Sequence, residues 1–151
     1  MLMKAHFTRA YHLSASHRLH ADSLSVQQNQ ATYGKCNNPY GHGHNYRIEV
    51  TVAGPIDPAT GMVINMVDLD ATVQQHIVAR FDHMNLNLDP LFSDQVPTTE
   101  NLSIAVFNLL RPALQPAALE KIRIEETENN FFEYSGGSAY AAPAQPQHTT
   151  Q

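Results

Sequence analysis

The sequence predicts an α+β fold built on an antiparallel sheet with two helices packed on one face, and three observations carry that expectation. Period-two hydrophobic alternation occurs toward both ends of the chain. Two apolar stripes with helical spacing lie between those segments. The order is therefore strands, then helices, then strands (β-β-β-α-α-β-β), the pattern of segregated rather than alternating elements.

Residues 4–17 form the first expected strand. Phe7, Arg9, Tyr11, Leu13, Ala15 and His17 share one parity and so one face. Residues 20–41 are polar and carry Asn29, Gly34, Asn37, Asn38, Pro39 and Gly41, which reads as a long loop. A second strand spans about 42–53, where Tyr46, Ile48, Val50 and Val52 alternate with Asn45, Arg47, Glu49 and Thr51. Gly54-Pro55 and Asp57-Pro58 mark a turn, and Met62 to Met66 are expected to return as a third strand.

Asp68 is placed to cap a helix running to Phe81, with Leu69, Val73, Ile77 and Phe81 repeating at i+4. A second helix starts near Thr98 or Thr99. It buries Leu102, Ala105, Val106, Leu109 and Leu110, and it stops at Pro112. Residues 120–127 and 130–134 form a closing hairpin around Asn129-Asn130. From Ser135 the composition turns to Gly, Ala, Pro, Gln and Thr. Residues 1–134 are thus expected to form a single domain and 135–151 a flexible tail.

Composition bounds the function. The 151 residues suit one domain, with 42% hydrophobic residues and a formal net charge of −5. That charge argues against a broad nucleic-acid surface, and an anionic substrate would need local cations. No apolar run approaches the roughly 20 residues of a membrane span. The N-terminus lacks a signal-peptide core, so a cytoplasmic protein is expected. Cys36 is the one cysteine, which excludes an intrachain disulfide.

Nine histidines stand out. His42-Gly43-His44 places two imidazoles at i and i+2 of a strand, on one face, with Gly43 leaving room between them. His17 ends the first strand, and pairing of the two strands would add a third imidazole. Three nitrogen ligands with an open position is the composition of a catalytic zinc site; structural sites close with four ligands. His6, His12, His20, His76 and His148 read as ordinary core or surface residues.

Other residues invite chemistry less directly. Cys36 lies in a polar loop close to the metal ligands, whereas an inert free cysteine is usually a small buried hydrophobe. Asp82-His83 follows the first helix. Neighbours in sequence do not easily orient each other's rings, and a histidine at a helix C-terminus is favoured by the macrodipole alone. Glu126 shares the parity of Ile122 and Ile124, so its carboxylate should face the core. That is costly unless something hydrogen-bonds it. Thr98, Thr99 and Glu100 are also ordinary helix-start residues.

Together these stretches resemble the 6-pyruvoyltetrahydropterin synthase family. The matching segments are Phe7 to Leu19, Gly34 to Tyr46 (GKCNNPYGHGHNY), Phe81 to Asn87 (FDHMNLN), Pro97 to Asn101 (PTTEN) and Glu126 to Asn130 (ETENN). The resemblance implies the tunnelling fold, closed into a barrel by oligomerisation. It implies Zn2+ on His17, His42 and His44, and Cys36 as acid/base in a relay with Asp82 and His83 from a neighbouring subunit. It implies Glu126 as the anchor of the pterin ring, with Thr98, Thr99 and Glu100 nearby, in a homohexamer made of two trimers. The implied substrate is 7,8-dihydroneopterin triphosphate, with triphosphate eliminated.

The five residues between Cys36 and His42 favour the pyruvoyl-forming type. One alternative is 6-carboxytetrahydropterin synthase of queuosine biosynthesis, whose spacing there is shorter. The other is a zinc- or pterin-binding protein without turnover.

Overall fold

The computed structural model describes residues 3–114 and 118–137. Its strands are β1 (Lys4–His17), β2 (His42–Pro55), β3 (Met84–Asn85), β4 (Ala118–Thr127) and β5 (Asn130–Tyr134). They form one sheet in the order β3-β1-β2-β4-β5. All neighbours run antiparallel except β3, which lies parallel to β1 and pairs only with Ala15 and Ser16. The mixed α+β fold is as expected. Of the proposed tail, Ser135 to Gly137 are described, without regular structure; the remainder lies outside the described residues.

The sheet has one apolar face. In β1 it holds Leu13, Ala15 and His17, and in β2 Tyr46, Ile48, Val50 and Val52, all buried. Antiparallel register sets these parities opposite one another, with Leu13 against Tyr46 and Ala15 against His44. Ile122 and Ile124 of β4 continue the face.

Two helices cover it. Met66–Val73 (α2) continues through a π-helical stretch, Gln74–Val78, and a last turn, Ala79–Phe81. Leu69, Val73, Ile77 and Phe81 are completely buried. An i+4 stripe drifts by about 40° per step on an α-helix, and the wider π turn takes up part of that drift. The N-cap is Asn65, whose side chain accepts from Val67 N at 2.8 Å, and Asp68 lies in the first turn. Thr99–Leu110 (α3) is capped by Thr98 and buries Leu102, Val106, Phe107 and Leu110, while Ala105 and Leu109 pack at the margin.

Besides the cap, which is Asn65 and not Asp68, three expectations need correction. The polar stretch 20–41 is not a plain loop: Val26–Tyr33 (α1) is helical and Gly34–Asn37 a 3-10 turn. A reciprocal capping box of Ser25 and Gln28 starts α1, and among its residues only Asn29 is buried. Met62 to Met66 form no strand. They close a turn, in which Asp57 N donates to Met62 O at 3.0 Å, and lead into the Asn65 cap. Finally, β3 intervenes between the helices. No helix among the described residues is long and apolar enough to cross a membrane.

Candidate metal centre and catalytic cluster

His17 and His42 face each other across β1 and β2, and His44 follows one pleat later. Their ring nitrogens lie within 4.8 Å of one another. His17 Nε2 is 3.0 Å from His42 Nε2. The three rings stand 65°, 87° and 89° from each other, pairwise, around a common centre. The structure therefore unites the three histidines singled out in the sequence.

These residues fit a metal ion. His17 Nδ1 is 2.8 Å from the Pro97 carbonyl, an acceptor, so Nδ1 carries the proton and Nε2 keeps its lone pair. Burial depresses the His17 and His44 pKa values below 6.5, with the neighbouring imidazoles adding to the effect and Glu126 opposing it. Both are accordingly neutral near pH 7, the state that binds metals. His42 Nδ1, His44 Nε2 and Thr99 Oγ1 are the buried side-chain polar atoms without a hydrogen-bond partner among the described residues. Of these, His44 belongs to the triad itself, and a buried atom of that kind is costly unless a ligand or ion meets it.

Glu126 closes one side. Its Oε1 lies 3.3 Å from His44 Nε2 and 3.6 Å from His17 Nε2, without hydrogen-bond alignment. Asn130 donates to its Oε2 at 2.9 Å. The register of β4 with β5 slips between Glu125 and Thr127, making Glu126 the bulged residue. Bulges re-aim side chains beside sites. Nothing in the sequence flags the Pro97 carbonyl; Asn130 could be found as the polar residue closing the hairpin.

The glycine that matters sterically is Gly41, not Gly43. At Gly41, φ is +74° and an added Cβ would stand 3.1 Å from the His17 carbonyl oxygen, whereas at Gly43 it would make only ordinary contact. Gly41 lets the chain turn against the end of β1 and enter β2 in register.

Cys36 sits half-buried in the 3-10 turn, and its carbonyl accepts from Leu19 N at 2.9 Å. That bond pins the turn beside His17. Burial chiefly, then the nearby Glu126 carboxylate, pushes the Tyr46 phenol up.

Asp82 and His83 do orient each other, contrary to expectation. His83 adopts φ +60°, and this left-handed kink brings its Nδ1 to 3.0 Å from Asp82 Oδ2. Asp82 Oδ1 accepts from Ser14 N at 2.9 Å, and this backbone bond first, then His83, holds its carboxyl below the usual range. The pair lies at the β1 edge beside an open groove of about 490 Å³ that also borders Ser14, Ser16 and Asn45. Among the described residues no hydrogen bond joins it to Cys36 or to the histidine triad. Thr98 Oγ1 caps α3, Thr99 is buried and Glu100 exposed.

A family model described as 6-pyruvoyl tetrahydropterin synthase matches residues 6–137. A Poecilia reticulata relative named 6-pyruvoyl tetrahydrobiopterin synthase is 49% identical over 132 residues, 87% of this chain and 90% of its own. The solved structure of Caenorhabditis elegans 6-pyruvoyl tetrahydropterin synthase matches with a TM-score of 0.86 and 39% identity, over 90% of this chain and 98% of that one. A Rickettsia typhi protein named 6-carboxy-5,6,7,8-tetrahydropterin synthase is 31% identical over 112 residues, 61% of this chain and 80% of its own.

Proposed function

Because the chain belongs to the 6-pyruvoyl tetrahydropterin synthase family, we propose that it converts 7,8-dihydroneopterin triphosphate to 6-pyruvoyltetrahydropterin, releasing triphosphate. The observation that carries this reading is the convergence of His17, His42 and His44 beside Glu126. The far higher identity to the pyruvoyl-named relative than to the carboxy-named one favours the pyruvoyl product.

In this reading His17, His42 and His44 hold zinc. When bound, it supplies Lewis acidity toward the substrate's side-chain oxygens and so acidifies the adjoining C–H groups. Cys36, as thiolate, takes a proton from side-chain carbon and returns it elsewhere. The C–O bond to the phosphate chain breaks with its electron pair on oxygen. His83, its Nδ1–H directed at Asp82, keeps Nε2 free to pass protons. Glu126 accepts N–H groups of the pterin ring and fixes its position, with Thr99 beside it. No external reductant is needed, because the redox change is internal to the substrate.

In this reading the relay comes from a second copy. Asp82 and His83 occupy the β1 edge, and among the described residues no hydrogen bond or ion pair joins them to their own Cys36. The same edge is open: β1 pairs with β3 only at Ala15 and Ser16. Long unpaired edges recruit another chain unless covered. Edge pairing between copies, into a closed barrel and a hexamer of two trimers, would bring one chain's His83 toward its neighbour's Cys36.

Co-expression tests this. Cys36→Ala and His83→Ala chains should each be inactive. A random mixed oligomer should regain roughly a quarter of the sites, since one intact site needs one good half from each chain. No recovery, with both parents folded and zinc-loaded, would refute the shared site. Anaerobic product identification separates the pyruvoyl from the carboxy outcome.

A further inference from the structure

We propose that the groove between α1 and the end of β1 is an anion subsite that holds the polyphosphate chain of the substrate. This deepens the pterin reading and rests on it for the identity of the anion. The groove has a volume of about 380 Å³ and is lined by Arg18, His20, Lys35, Gln30, Asn37 and Asn38 among others. No carboxylate lines it.

The distribution of cations makes the groove unusual in a chain of net charge −5. Lys4, Arg9, Arg47, Arg80, Lys121 and Arg123 each lie within ion-pair distance of a carboxylate. Arg18, Lys35 and Arg111 do not, among the described residues, and two of these three meet in this groove. Arg18 Nε donates to Asn37 O at 3.1 Å, which fixes the guanidinium while its terminal nitrogens have no hydrogen-bond partner among the described residues. Asn37 Nδ2 lies 3.0 Å from His20 Nδ1, so that nitrogen accepts and Nε2 carries the proton. The fully exposed Asp22 lies 3.7 Å from His20 Nε2, and with Asp94 it lines the adjoining cleft that Arg18 and His20 also border.

Position links the groove to the chemistry. Arg18 follows His17 and Lys35 precedes Cys36, and the Leu19–Cys36 backbone bond ties the two segments together. A substrate centred on the triad could lay its phosphates across Arg18 and Lys35. Planar guanidinium and mobile ammonium groups are the usual phosphate partners. They would also stabilise the negative charge that builds on the departing triphosphate.

The test is calorimetric titration of the zinc-loaded protein with inorganic triphosphate in magnesium-free buffer. Wild type should bind it, and more weakly as NaCl rises. Lys35→Gln and Arg18→Gln should each raise Kd about tenfold, as loss of one charge-assisted contact does. Arg18→Lys should recover part of the loss by restoring charge without the Nε bond. Dihydroneopterin, which lacks phosphate, should bind wild type and Lys35→Gln equally. Equal triphosphate affinity in wild type and both Gln variants, or none in wild type, would overturn the subsite. If dihydroneopterin fails to bind while triphosphate binding still depends on Lys35, the groove stands and the pterin reading falls.

Discussion

Replacing Thr99 with Val should stabilise the protein and weaken pterin binding together. Thr99 is 2% exposed, and its Oγ1 has no hydrogen-bond partner among the described residues. It approaches the Tyr46 hydroxyl without hydrogen-bond geometry. A buried unpaired hydroxyl costs about 1–3 kcal/mol relative to a methyl group of the same shape. Thr99 opens α3, and a β-branched residue is already present there, so Val brings no new backbone demand. The expected gain of about 1–2 kcal/mol corresponds to a Tm increase of roughly 2–8 °C at this chain length. If the hydroxyl serves the pterin, its loss should weaken dihydroneopterin binding roughly 3- to 10-fold. Scanning calorimetry and a pterin titration on one preparation give both numbers. A lower Tm would mean that the hydroxyl has a protein partner. An unchanged affinity would mean that Thr99 does not face the ligand.

Further predictions follow from the site. His44→Ala should lower zinc content from about one per chain to a small fraction, because two imidazoles do not complete a zinc site; metal analysis checks this, and full occupancy refutes the triad. Cys36→Ala should keep zinc and fold but lose triphosphate release by at least about a hundredfold, as removal of a general base does. Loss of zinc would instead make the thiol a ligand. Glu126→Gln should likewise retain zinc while weakening pterin binding, and zinc loss would reassign that carboxylate to the metal. In metal-free protein, His17 and His44 titrate below 6.5 when folded. The unfolded chain therefore takes up protons first on acidification, so stability is fully present above about pH 6.5 and declines below it. Urea melts at pH 7.5 and 5.5 would show the difference.

Much of this fold is legible because its core follows simple periods. The parity of β1, from Phe7 to His17, and the i+4 stripe of the 66–81 segment are strong local patterns that tertiary packing keeps. What escapes the pattern is what local hydrophobicity does not encode. Helix α1 has almost no buried face, so only its Ser25–Gln28 capping box announces it. Two-residue β3 is too short to alternate. Met62 to Met66 carry apolar residues without a strand partner. At the site, the histidine triad is legible because i and i+2 on a strand must share a face. The Asp82–His83 contact is not, because it depends on a left-handed φ at His83 that a non-glycine residue seldom adopts. The Pro97 carbonyl contact is a backbone event 80 residues away from His17 in sequence, and no residue type signals it.

The parts of the chain that break folding rules also coincide in space. Buried polar groups are normally paired, yet His42 Nδ1, His44 Nε2 and Thr99 Oγ1 are not. A charged Glu126 sits on the parity of Ile122 and Ile124, and the strand bulges to carry it. Each departure costs stability in the isolated chain, and scattered departures would mean a poorly optimised fold. The Glu126 carboxylate stands 3.3 Å from the unpartnered His44 Nε2, while the rest of the core from Leu13 to Ile124 is apolar, and at a ligand site such a cost is recovered when something binds. The β1 edge, paired with β3 only at Ala15 and Ser16, is a second departure of the same kind, beside Asp82 and His83. In the proposed reading a metal and pterin would relieve the first departure and a neighbouring chain the second, which would tie assembly and catalysis to one arrangement of residues.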